Sequence, residues 1–232
     1  MNFWIIINLP IKNTFMSKFW IRALGIFGAI GGLTLFAGDM LFYYNPVSTN
    51  LLENMANSSD NRIIMSAVTA LIATWLYLLG VGQVYYAFKP SSKVMRNIVI
   101  ISFSAIFVTY GVVHGAYVAI ATSAKIALQN NLNIEETASL ARQANNVLRL
   151  FGYPIFAVMS YAFISEVWKK KTLYSRWIIL FFPLVPFLFK GLINSAVSGQ
   201  AEVIIKGGFL NLILVLFFIA STINLWNKEG IE

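Results

Sequence analysis

The chain has no cysteine and a single histidine among its 232 residues. Without thiols there is no disulfide, thiolate metal site, iron-sulfur cluster or thiol nucleophile, and no palmitoyl or prenyl anchor. One histidine excludes HExxH, paired-histidine haem ligation and histidine-cluster hydrolases. There is no GxSxG, no Walker loop and no GxGxxG after a strand. A retinal-type Schiff base needs a lysine near mid-depth in the final apolar stretch, which offers only Lys206 at its outer end. Neither a metal nor a cofactor is expected. Charge is also scarce, at 11%, against about 25% in soluble domains.

What is abundant is apolar: 58% hydrophobic residues, with a mean hydropathy of +0.72. These residues fall in long blocks and do not alternate, as Phe209 to Ile219 illustrates, which points to membrane helices and away from a transmembrane barrel. A helix rises 1.5 Å per residue and the hydrocarbon core is about 30 Å thick, so a span takes roughly 20 apolar residues. Six stretches qualify: Ile21–Tyr43, Ile63–Phe88, Asn97–Ala121, Val147–Trp168, Tyr174–Ile193 and Val203–Trp226. The predicted fold is an all-α integral membrane protein, a bundle of about six transmembrane helices. Residues 1–19 form a cytoplasmic or interfacial segment, 20–226 the membrane domain and 227–232 a cytoplasmic tail. Within the first segment, the apolar run Phe3 to Leu9 is too short to span, and Met1 and Met16 are alternative starts.

The formal charge of +8 is divided among short loops and does not build a nucleic-acid surface. It serves instead as a topology signal. Lys12, Lys18, Arg22, Lys89, Lys93 and Arg96 fall on one side, joined by Lys169, Lys170, Lys171, Arg176 and Lys228. The other side receives only Arg62, Lys125, Arg142, Arg149, Lys190 and Lys206. The positive-inside rule then puts both termini in the cytoplasm. The long loops, Tyr44 to Arg62 and Thr122 to Asn146, face outward. The second reads either as an amphipathic helix capping the bundle or as a solvated connector. The sequon Asn57-Ser58-Ser59 on that side matters only in a eukaryotic secretory cell, and nothing in the sequence shows such a host; the expected location is the bacterial inner (plasma) membrane.

Gly28 and Gly32, like Gly111 and Gly115, stand in GxxxG spacing, which lets helix backbones approach closely. Packing within one chain is the expected use, and an oligomer through these glycine-rich faces is the alternative. Pro154, Pro183 and Pro186 are expected to bend their helices and free carbonyls, making room for a cavity. Trp4, Trp20, Trp168, Trp177 and Trp226, with Tyr43, Tyr44 and Tyr174, read as an interfacial belt. Glu202 and Lys206, at i and i+4, predict a surface ion pair.

Ionisable groups inside spans cost about 2.5 to 3.5 kcal/mol each on insertion scales, so each needs a reason. Three qualify: Asp39, His114 and Lys190. Counting from the span midpoints, they lie about 10, 8 and 9 Å outward of the bilayer centre, on three helices but in one layer. Tyr110, Tyr117, Tyr153, Asn194 and Asn211 share that layer. Together the eight predict an outward-opening polar pocket. The competing explanation is structural: Lys190 snorkels, interfacial water reaches Asp39 and the histidine only bonds a neighbouring helix. Three functions follow: a non-enzymatic protein whose outer-leaflet pocket binds or senses a lipid or small amphiphile, a small transporter or channel subunit, or an intramembrane lipid-modifying enzyme with His114 as base and Asp39 orienting it. The first is the reading adopted here, because the inner half supplies only Gln83, Ser160, Ser165 and Glu166 to continue a polar path.

Overall fold

The computed structural model describes residues 17–228, so the run Phe3 to Leu9, Trp4, Lys12, Met1 and Met16 all lie outside the described residues. Nine α-helices and one 3-10 stretch make up the fold, with no strand among the described residues. In chain order the helices are α1 (Lys18–Tyr43), α2 (Leu51–Ala56), α3 (Asp60–Ala87), α4 (Lys93–Gln129), α5 (Ile134–Thr137), α6 (Ser139–Trp168), α7 (Leu184–Leu188), α8 (Lys190–Ser195) and α9 (Gly199–Leu225). The 3-10 stretch, Arg176–Phe181, precedes α7. Helix starts follow local chemistry: Ser17, Asn50, Ser59, Ser92 and Asn133 each accept a backbone N–H of the first turn, answering donors that have no partner inside the helix.

Five helices, α1, α3, α4, α6 and α9, are long and apolar enough to cross a membrane. Their outer faces remain apolar, with Leu71 53%, Trp75 58% and Leu216 48% exposed. In water these would be liabilities, whereas hydrocarbon accepts them at no cost. The fifth predicted span, Tyr174 to Ile193, is not one helix. It is the 3-10 stretch followed by α7 and α8, of five and six residues. Pro183 supplies no N–H to an i−4 carbonyl and its ring crowds the preceding turn, and it stands at the start of α7 where the 3-10 stretch gives way, while Pro186 falls in the first turn of α7, where a missing N–H costs little. Pro154 sits inside α6 without ending it.

The broken segment climbs alongside α9. At its foot, the Ser175 N–H donates to Asn224 Oδ1 at 3.1 Å; higher up, Lys190 Nζ lies 5.8 Å from the Phe209 ring. The start of α1 and the end of α9 meet at the same end of the bundle, where Arg22 donates to the Trp226 carbonyl at 2.9 Å and stacks on its ring. Trp20, Trp168, Trp177 and Trp226 are exposed as expected of a belt, but Tyr43 and Tyr174 are buried: Tyr43 packs edge-on against Tyr117, and Tyr174 bonds Ser221.

The second long loop expected to face outward, Thr122 to Asn146, turns out to be mostly helix. The 37 residues of α4 measure about 55 Å at 1.5 Å per residue, so it runs well past a hydrocarbon core of about 30 Å. After the α5 turn, α6 returns beside it. With α2 they build a small outer core around Phe42, Met55, Ala124 and Ala138. The main core lies deeper, centred on an aromatic layer in which Tyr77 and Phe107 stack at 4.4 Å and Phe218 closes the group. Gly28 and Gly80 let α1 and α3 cross here, since a Cβ on Gly80 would lie 2.8 Å from the Gly28 Cα and 2.7 Å from Phe218. The α1 glycines all face α3 or α9 of the same chain, while Gly115 meets nothing within 4 Å.

Candidate functional site

Asp39 on α1, His114 on α4 and Asn211 on α9 converge just below the outer core, each buried. Asp39 Oδ1 lies 3.1 Å from His114 Nδ1, and Asn211 Nδ2 donates to Asp39 Oδ2 at 2.5 Å. On the far edge of the imidazole, His114 Nε2 is 2.9 Å from Ser66 Oγ of α3. The Ser66 hydroxyl donates to the Gly38 carbonyl at 2.7 Å. That carbonyl can only accept, so the serine has spent its proton and His114 Nε2 must donate to Ser66 Oγ. The Nδ1–Oδ1 contact then holds the other proton, either as imidazolium with carboxylate or as imidazole with carboxylic acid. Both forms are neutral overall, which is how such groups become tolerable in a low-dielectric interior. Gly38 keeps the helices close enough for this, because a Cβ there would overlap Thr69 Oγ1.

Beside the pair is a cavity of about 240 Å³. Leu35, Ile106, Phe156, Phe187 and Ile213 give it apolar walls, and Asp39, His114 and Asn211 form one polar side. Tyr110, Tyr153 and Lys190 also line it, so six of the eight residues singled out in the sequence share one space. The other two do not. Tyr117 turns toward Phe42 and Tyr43, against the outer core, and Asn194 sits on α8 away from the lining, its Oδ1 buried without a partner.

Two cations missed by the sequence reading belong to the lining, Arg149 of α6 and Lys206 of α9. They had counted only as flanking charges. Glu202 pairs with Lys206 as the spacing predicts. Arg149 lies 5.2 Å over the Tyr117 ring and Lys190 rests near Phe187 and Phe209; neither has a carboxylate partner among the described residues. Ser66 was missed as well. Its one signal was depth, since it falls in the same outer layer as Asp39 and His114.

The inner half holds a second buried polar group, built without charge. The Tyr174 hydroxyl is 2.7 Å from Ser221 Oγ, which donates to Gln83 Oε1 at 2.6 Å. Gln83 Nε2 in turn donates to the Ile21 carbonyl at 2.8 Å and to Thr222 at 3.2 Å. Nearby, Ser91 donates to the buried carboxylate of Glu166. The aromatic layer of Tyr77, Phe107 and Phe218 separates this network from the outer pair.

These apolar crossings, lipid-facing surfaces and internally satisfied polar groups define a polytopic helical integral membrane protein. Within that class, the chain belongs to the family of unknown function DUF6796, whose model matches residues 12–228. No curated protein and no solved structure matches it.

Proposed function

We propose that the chain crosses the membrane six times with both ends inside, and that its outer-half cavity binds a lipid or small amphiphile without converting it. Two features support the sixth crossing. Five continuous crossings alone would leave the ends of α1 and α9 on opposite sides, yet Arg22 reaches Trp226. The segment from Tyr174 to α8 rises beside α9 and supplies the missing passage as a broken helix, a form tolerated where neighbouring protein satisfies the freed backbone. The basic residues give the orientation, and the bacterial inner (plasma) membrane is the proposed location.

The observation that carries the binding reading is one cavity that joins the Asp39–His114–Asn211 cluster to apolar walls at the membrane face of the bundle. Binding sites for small molecules have this composition, mostly apolar with a few convergent polar groups. A transport path would need polar groups continuing inward, and Tyr77, Phe107 and Phe218 fill that route. A second reading, catalysis, draws on the order Asp39–His114–Ser66, which matches a nucleophilic triad. Against it stands Ser66 itself, fully buried, outside the cavity lining and with its proton given to Gly38.

The test is thermal stabilisation of the detergent-purified full chain by short-chain lipids, comparing wild type with Gly152→Leu. Gly152 lines the cavity and a Cβ there meets only ordinary contacts, with Thr109 and Ile106, so the leucine adds bulk at the lining from a position that has room for a side chain to begin. Stabilisation present in wild type and gone in Gly152→Leu supports binding. Stabilisation equal in both proteins counts against it. Because the chain has no native cysteine, single cysteines at Glu136 and Lys169 test the orientation. An impermeant maleimide applied to intact cells should label the first and not the second.

A further inference from the structure

The cavity's charges are unbalanced, and the imbalance has a direction. Asp39 is matched by His114, and Lys206 by Glu202. Arg149 and Lys190 remain, carried by different elements, α6 and α8, yet turned to one space with no carboxylate partner among the described residues. Two like charges turned to one cavity repel each other, and an anion standing between them turns that repulsion into attraction. Tyr110 and Tyr153 line the same space and offer hydroxyl donors.

Access is restricted in a way that selects the ligand further. Phe42 of the outer core packs on His114 at 5.6 Å between ring centroids, whereas Arg149 and Tyr153 in the lining are exposed. Sideways, α6 packs on the 3-10 stretch but only sparsely on α7 and α8 above it. Along that seam Tyr153, Leu188 and Leu192 are exposed at 55, 71 and 69%. The volume, about 240 Å³, is below the roughly 300 to 1,000 Å³ of typical ligand pockets, which suits a head group whose chains lie outside.

We infer that this cavity takes the anionic head of an amphiphile, a phosphate or carboxylate held between Arg149 and Lys190, with its apolar chain passing out between α6 and α8 into the bilayer. The inference rests on the binding reading above and adds the head-group charge and the route. A free soluble anion shares the head-group chemistry, so the experiment separates the two sources.

Dihexanoyl phosphatidate, dihexanoyl phosphatidylcholine and inorganic phosphate are titrated onto detergent-purified full chain, with binding read by native mass spectrometry and thermal shift. A charge-assisted contact to each cation predicts that phosphatidate binds roughly tenfold or more tightly than phosphatidylcholine. In the Arg149→Gln/Lys190→Gln double variant the two lipids should bind alike. Lys190→Arg should keep the preference, and so should Arg142→Gln, which removes a cation on the same side that pairs with Glu135 outside the cavity. A preference that survives the double variant, or is lost in Arg142→Gln, overturns the assignment. Lipids that bind wild type equally and are both excluded by Gly152→Leu overturn the charge selection while leaving amphiphile binding in place. Lipids that bind Gly152→Leu as well as wild type overturn both. Inorganic phosphate that competes as strongly as phosphatidate overturns the amphiphile and makes this a soluble-anion site.

Discussion

Two buried polar clusters of the bundle are built on opposite principles. In the inner half, Tyr174, Ser221, Gln83 and Thr222 form a neutral chain in which each named donor meets an acceptor, and the buried carboxylate of Glu166 nearby is held by Ser91. In the outer half the groups are ionisable, Asp39 and His114 form a pair, and two further cations face a cavity. A saturated neutral network fixes how helices pack, as expected where an unsatisfied group costs more than a satisfied one gains. A charged layer beside empty volume leaves contacts unmade, and it is there that a ligand can supply what is missing.

The strongest way to break this comparison is to remove the outer carboxylate. Asp39→Ala strands His114 and Asn211 in the interior, and a loss of about 3 to 5 kcal/mol is expected for breaking such a pair, read as a lowered unfolding midpoint in detergent. The Asp39→Ala/His114→Ala double variant should lose clearly less than the sum of the single changes; strict additivity would mean the two groups do not act as a unit. Gln83→Leu in the inner network should cost about 1 to 3 kcal/mol by leaving the Ile21 carbonyl and Ser221 without their partner, with lipid stabilisation unchanged. Loss of lipid binding in that variant would erase the distinction between the halves. Tyr174→Phe removes one end of the chain of donors for about 1 kcal/mol. Smallest of all, Arg149→Gln should shift the stability of the unliganded protein by no more than about 0.5 kcal/mol, because the residue is exposed. Its effect should appear only when anionic lipid is added.

Depth was legible in the sequence and rotation was not. Long apolar runs located five helices, and the 1.5 Å rise put Asp39, His114 and Asn211 at one level, where α1, α4 and α9 do bring them together. Which way each side chain points around its helix depends on packing partners far away in sequence. Tyr117 stands one turn from His114 and touches its ring at 6.1 Å between centroids, yet it packs on Phe42 and Tyr43 and stays out of the cavity lining; Asn194, one turn after Lys190 on the short α8, also lies outside it. The break itself escaped because hydropathy weighs residues without regard to whether a backbone can continue; of the two prolines read as bends, Pro183 marks the start of a new short helix and Pro186 lies within it. Conversely, Thr122, Ser123 and Lys125 suggested a loop after Ala121, yet α4 continues through them, since leaving the hydrocarbon does not end a helix. Arg149 and Lys206 were hidden by their usefulness as topology signals, and Ser66 by being an ordinary residue in a membrane helix.

In the proposed orientation, the length of α4 and α6 gives the outside of the cell a mechanical handle on the site. Both helices emerge from the bilayer without interruption and carry His114, Arg149 and Tyr153 on the same rigid rods that end at the exposed α5 turn. Whatever grips that turn, whether an antibody fragment raised as an imaging fiducial or a neighbouring protein, pulls on both walls of the cavity at once and tilts them together.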